Sequence, residues 1–164
     1  MPVEISPAGT GDWPAIWPIF AEIVWAGDTY AYDPALTSAE AAALWLERPP
    51  AAAWLARVDG EVVGTYKTGP NRPGPGAHVA TASYMVAAGA RGRGIGRAMV
   101  EHSLQRAVEA GFRGMQFNAV VATNTDAVAL YVHLGFDIVG RVPGAFAHPH
   151  QGFVDLLIMY RPLV

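Results

Sequence analysis

The chain has no cysteine among its 164 residues. Disulfides, thiolate metal sites and a cysteine nucleophile are therefore excluded. Charge is also sparse: Asp, Glu, Lys and Arg make up 15% of the residues and the net charge is −3. A duplex-DNA binder is usually basic, so no nucleic-acid partner is expected. No apolar run approaches the ~20 residues that a membrane helix needs, so no membrane partner is expected either. The opening Met-Pro-Val-Glu-Ile-Ser lacks a basic and an apolar leader region, which leads to the expectation of a cytoplasmic protein. Repeats and low-complexity tracts are absent, so residues 1–164 are expected to form one domain. Apolar residues, by contrast, make up 52%, enough for a sizeable core.

Residues 3–6 alternate as a first short strand. Asp12-Trp13-Pro14 has the pattern of a helix start, and an apolar face follows through Val24, with Pro18 expected to kink it or shift its start. Thr37-Ser38-Ala39-Glu40 has the form of a capping box, opening a helix that ends near Glu47. Residues 53–58 and 61–67 flank Asp59-Gly60, the pattern of a β-hairpin. The Pro- and Gly-rich stretch 69–76 reads as a loop within the domain. A strand is expected over 78–86, a helix over 94–110 ended by Gly111, and a strand over 115–121. A helix over 124–134 and strands over 136–142 and 152–160 complete the chain, with 143–151 as a loop. The result is a mixed α/β order: β, two helices, three strands, α, β, α, β, β.

Between the strand ending at Val86 and the next helix lies Arg91-Gly92-Arg93-Gly94-Ile95-Gly96-Arg97. Glycines let the backbone approach a ligand closely, and helix N-terminal N–H groups converge on phosphate oxygens. Three arginines add charge-assisted donors. A nucleoside-triphosphate loop would need Lys-Ser or Lys-Thr after Gly96, where Arg97-Ala98 stands. A dinucleotide fingerprint would need a Gly-x-Gly-x-x-Gly spacing that these glycines do not have. Farther on, Asn124-Thr125-Asp126-Ala127 leads through Leu130-Tyr131 to Gly135-Phe136. Asn124 is a good N-cap residue. Ala127 is small enough for a ligand to lie close. Tyr131 falls two turns after Asn124, on the same helix face.

Together these two segments resemble the GNAT N-acetyltransferases: Arg91, Gly94 and Gly96 fit the pyrophosphate loop Arg/Gln-x-x-Gly-x-Gly/Ala, and 124–136 fits the late Asn-x-x-Ala-x-x-Leu-Tyr-x-x-x-Gly-Phe segment. The resemblance implies a central, mostly antiparallel twisted sheet of about seven strands, with strands 4 and 5 splayed and helices flanking. It also implies acetyl-CoA as cosubstrate. Its diphosphate is expected on Arg91, Gly92, Arg93, Gly94, Ile95, Gly96 and Arg97. Its pantetheine arm is expected along the main chain of Tyr84, Met85 and Val86, and its thioester near Asn124, Ala127 and Tyr131.

Within that resemblance Tyr131 is the thiol acid, and the acetyl group passes directly to an amine without a covalent enzyme intermediate. Asn118, on the strand beside the splay, is a second catalytic candidate, for orienting substrate or water. Candidates for the base by type or position are Glu22, Asp28, His78, Tyr84, Asn118 and His148. Two nearer likenesses concern the acceptor. The loop 27–32 resembles the substrate loop of phosphinothricin-type acetyltransferases. The segments 83–94, 117–118, 124–136 and 154–160 are similar to yeast acetyltransferases of proline analogues, which carry Asn where this chain has Thr81. A small amine, an amino acid or its analogue, is expected, with Asp28, Tyr30, Thr81, Asn118 and His148 in its pocket and Trp25, Tyr30, Tyr32 and Phe146 as aromatic walls. A silent acyl-CoA sensor and an acetyltransferase of protein amino groups are the alternatives. His148-Pro149-His150 has no neighbouring acidic cluster, so no metal is expected. An apolar strand near the C-terminus leaves room for a homodimer.

Overall fold

A computed structural model describes residues 2–164. Seven strands form one sheet in the order β1-β2-β3-β4-β5-β7-β6. They are β1 (Glu4–Ala8), β2 (Ala52–Val58), β3 (Glu61–Pro70), β4 (Val79–Val86), β5 (Gly114–Val121), β6 (Asp137–His148) and β7 (Gly152–Pro162). Neighbours are antiparallel except β4 and β5. That parallel pair holds only at Val79 and Ala80, opposite Gly114 and Met115. Beyond Ala80 the two strands part, and the gap is the splay implied by the family resemblance.

Four helices cover the sheet: α1 (Trp13–Ala26), α2 (Ser38–Trp45), α3 (Ile95–Glu109) and α4 (Thr125–His133). On one face α1 and α2 bury Phe20, Ile16 and Trp45 against Leu55 and Met85. On the other, α3 and α4 cover Tyr66, Tyr84, Met115 and Phe117. Alternation along β4 follows from this: Ala80, Ala82 and Tyr84 belong to the α3 side, whereas Met85 belongs to the α1 side. The α1-side core is pinned by a fully buried relay in which Trp45 Nε1 donates to Thr65 Oγ1 (3.0 Å) and Thr65 Oγ1 donates to the Trp54 carbonyl (2.8 Å).

Local signals behave as their chemistry requires. Asp59 and Gly60 both take positive φ (52° and 83°), the geometry of a tight hairpin turn matched to strand twist. Thr37 and Glu40 form the reciprocal capping box. Of the two effects expected of Pro18, a shifted start does not occur, since α1 begins at Trp13 and continues through Pro18. Three expectations are corrected. Asp12 does not cap α1; its carboxylate accepts from the Gly9 N–H (2.9 Å) in the 3-10 turn that precedes the helix. Asn124 stands before α4 but makes no side-chain capping bond. Residues 143–148, expected in a loop, extend β6 across an irregularity between Val142 and Phe146. There the Asp155 carboxylate accepts from the Gly144 N–H (2.9 Å) and from Arg141 (2.6 Å), satisfying a main chain that the ladder leaves unpaired.

Candidate active site

The splay opens a cleft of about 810 Å³. One end is the glycine loop. Gly92 and Gly94 adopt left-handed φ (72° and 79°), and a Cβ at either would meet nothing within 4 Å, so the loop is curled around open space. The N-terminus of α3 follows at Ile95, with no acidic residue in its first turn. No carboxylate of that turn would compete with an anion for its N–H groups and dipole. Arg91 and Arg93 are exposed and have no carboxylate partner among the described residues. Arg97 is tied to Glu101 at 2.9 Å. This donor set fits a diphosphate.

The cleft continues past Val86, Asn124, Ala127 and Leu130 to Tyr131. The ring of Tyr131 packs on Phe117 (centroids 4.5 Å), Phe136 (5.9 Å) and Tyr84 (6.3 Å). Its hydroxyl makes no hydrogen bond to another described residue. Burial, with Tyr84 adding to it, pushes the phenol well above its usual range, so it stays protonated. Gly135 ends α4 with φ 88°, and the Phe136 N–H closes back on the Tyr131 carbonyl at 3.0 Å. That cap fixes the turn from which the tyrosine projects.

The edge of β4 is not uniform. The Tyr84 N–H and carbonyl both bond to the Tyr30 hydroxyl, at 2.9 and 2.6 Å, so they face the splay. The Ala87 N–H bonds to Val63 on β3 (2.9 Å). By alternation the main chain of Met85 is committed to β3, while Val86 turns to the cleft. All three of the expected trio line the cleft, but the Met85 main chain pairs with β3 and the Tyr84 main chain is occupied by Tyr30.

At the far end Asp28, Tyr30, Thr81, Asn118 and His148 all line the cleft. The strand β5 gains an extra residue between Phe117 and Val120, so Asn118 and Ala119 leave the ladder. Asn118 is exposed, donating to Asn71 (2.6 Å) and accepting from Gln116 (3.0 Å). The Asn71 contact was not readable from sequence, because Asn71 lies 47 residues away. His148 Nδ1 accepts from the main-chain N–H groups of His150 (3.1 Å) and Gln151 (3.2 Å). A nitrogen that accepts carries no proton, so the neutral ring keeps its proton on Nε2 and is a donor there.

The base candidates separate. Glu22 accepts from the Ala88 N–H (3.3 Å), and His78 is exposed where β4 begins; neither lines the cleft. Tyr84 lines it, but its hydroxyl is buried against Ser103 (2.6 Å). Ser103 spends its proton on the Val100 carbonyl, so Tyr84 is the donor, and burial raises its phenol far above the usual range. It is no base. Of the expected aromatic walls only Tyr30 lines the cleft. Trp25 is 65% exposed beside Trp17, Tyr32 packs on Phe20, and Phe146 is buried. Among the described residues no group of His, Asp and Glu could hold a metal, and no helix is long and apolar enough to cross a membrane.

Comparison with known proteins follows the same lines. The model of the Acetyltransferase (GNAT) family matches residues 17–136. A solved GCN5-related N-acetyltransferase from Kribbella flavida is 53% identical, with 98% of this chain and 97% of that chain covered and a TM-score of 0.94. A ribosomal-protein-alanine N-acetyltransferase from Brucella melitensis is 30% identical over 97% of this chain and 99% of its own, with a TM-score of 0.84. The N-acetyltransferase aca1 of Schizosaccharomyces pombe is 33% identical over 98 residues, 59% of this chain and 47% of aca1. The chain spans less than half the length of the curated relatives it matches.

Proposed function

The chain belongs to the acetyltransferase (GNAT) family, and on that premise we propose that it moves an acetyl group from acetyl-CoA to the amino group of a small molecule, an amino acid or an amino-acid analogue. The observation that carries this reading is continuity: one cleft joins the glycine cradle, Tyr131 and a polar end formed by Asp28, Thr81, Asn118 and His148. The cradle would hold the diphosphate of acetyl-CoA on the N–H groups at the start of α3, and the cosubstrate supplies the activated acetyl group. Val86 offers its main chain to the extended arm, as strand edges do for peptides. Tyr131, protonated and without a hydrogen-bond partner among the described residues, is suited to give its proton to the departing thiolate. With Tyr84 set aside, the amine's proton leaves through the open, polar end of the cleft.

Acceptor selection follows from two groups. The Asp28 carboxylate suits an ammonium. His148, held as an Nε2–H donor, suits an acceptor such as a carboxylate and does not act as base in that tautomer. A thiol-release assay with acetyl-CoA across amino acids, their decarboxylated amines, polyamines and N-terminal alanine peptides tests this. Amino acids are expected to exceed their decarboxylated amines at least tenfold in kcat/KM, and His148→Phe is expected to remove that preference. The likeness to the Brucella protein favours a second reading, a protein N-terminal amine; turnover confined to the peptides would establish it. Tight acetyl-CoA binding without turnover of any amine would make the chain a sensor.

A further inference from the structure

The hydroxyl of Tyr30 stands in a slot that an extended acyl carrier would need. It accepts from the Tyr84 N–H at 2.9 Å and donates to the Tyr84 carbonyl at 2.6 Å. Those two groups are the free edge of β4, because β5 pairs with β4 only as far as Ala80. In a continuous sheet a neighbouring strand would take them; here one phenol substitutes for that strand. Tyr30 belongs to the loop 27–37 between α1 and α2, which leaves α1 through Gly27 in the left-handed conformation (φ 69°). Its ring stacks on Tyr32 (5.9 Å), which packs on Phe20 (5.3 Å). The contact therefore joins a loop to a sheet edge 54 residues away in sequence. Burial, with Tyr131 adding to it, raises the Tyr30 phenol, so the donor persists at any ordinary pH.

We propose that Tyr30 is a latch: its hydroxyl closes the β4 edge at Tyr84 until an acyl-pantetheine arm pairing with that edge displaces it, so that loading of the donor and movement of loop 27–37 are one event. The proposal rests on the acetyl-CoA reading. Release frees the Tyr84 N–H, two residues from Val86 on the same edge, as a donor to the thioester carbonyl. The moving loop also carries Asp28 and Thr29, which line the far end of the cleft. Loading the donor therefore also shifts Asp28 and Thr29, so occupancy of the donor site is felt at the acceptor end of the cleft. A closed form that outnumbers the open one weakens apparent affinity by the same ratio. Two ordinary hydrogen bonds bias the latch by about tenfold.

Tyr30→Phe keeps the ring and its stacking while removing both bonds. Acetyl-CoA binding is measured by calorimetry on wild type and variant, and backbone amide exchange is followed at Tyr84 and over 28–36. The expected result is about tenfold tighter acetyl-CoA binding by the variant. The Tyr84 amide should exchange slowly in the wild type, fast in the variant alone, and slowly again in the variant with acetyl-CoA. In the wild type, acetyl-CoA should reduce protection over 28–36. Equal or weaker binding by the variant would overturn the latch and make Tyr30 a fixed wall. Absence of acetyl-CoA binding to both proteins would instead overturn the cosubstrate reading, and the latch with it.

Discussion

Replacing Tyr131 with Phe deletes one oxygen and separates chemistry from architecture. The ring's contacts with Phe117, Phe136 and Tyr84 are apolar and survive the change. The deleted hydroxyl has no hydrogen-bond partner among the described residues, so no protein group is orphaned, and stability should stay within about 0.5 kcal/mol of wild type. If the phenol protonates the leaving thiolate, its loss should lower kcat by about 10²–10⁴, or roughly 3–5 kcal/mol of barrier. The sign of the pH dependence is also set. Because burial raises this phenol, it remains protonated above the usual tyrosine range, and it should cause no fall in wild-type kcat below about pH 10. A thiol-release assay over a pH series, paired with calorimetric unfolding, measures both effects. Thioesters of more acidic thiols leave without help, so the gap between wild type and Tyr131→Phe should narrow with them. A change in kcat below threefold, or a wild-type alkaline limb near pH 8 that disappears in Tyr131→Phe, would refute the acid assignment.

Gly94→Glu should abolish acetyl-CoA binding in calorimetry while leaving a folded protein, since its Cβ enters open space but its charge faces the diphosphate and its φ of 79° is strained for Glu. Thr65→Val should destabilise by about 2 kcal/mol, because Trp45 Nε1 loses its acceptor in a fully buried site; at this chain length the Tm should fall by about 4–8 °C, and Thr65→Ser should recover most of it. The Asp155 carboxyl is held below its ordinary value by the Gly144 N–H and by Arg141. Its stabilising effect is thus present above about pH 4 and fades as pH falls through the depressed value, so the Tm difference between wild type and Asp155→Asn should close in acid.

The parts of this molecule that were legible in its sequence are those settled within a few residues. Asp59-Gly60 needed only its own backbone preferences to make the turn, and Gly111 and Gly135 ended their helices with positive φ as lone glycines do. The cradle was legible for the same reason: glycine spacing and the start of α3 act over six residues. The misreadings lie where a distant group overrides a local preference. Pro143, Gly144 and Pro149 all discourage a strand, yet β6 persists to His148 because Asp155, 11 residues beyond Gly144, takes up its N–H. Asn118 lies beside the splay as its place on the strand implies, but the one-residue bulge that takes it off the β5 ladder and its bond to Asn71 depend on distant chain.

The cleft itself shows how that division bears on function. Its cradle side is built from main chain and local turns. Its opposite side is built from side chains delivered by loop 27–37, the β5 bulge and the β6–β7 tip, each held by contacts 47 or 54 residues apart or by a hairpin whose length was misjudged. A diphosphate site needs many N–H groups and few particular side chains, so it leaves a mark in a short window. An acceptor site needs particular side chains at particular distances, and those distances are set by the packing of the whole sheet. The donor was therefore readable before any coordinates. The acceptor becomes arguable only once Asp28, Tyr30 and His148 are seen to line one cleft, where the latch at Tyr84 is the contact that joins the two halves.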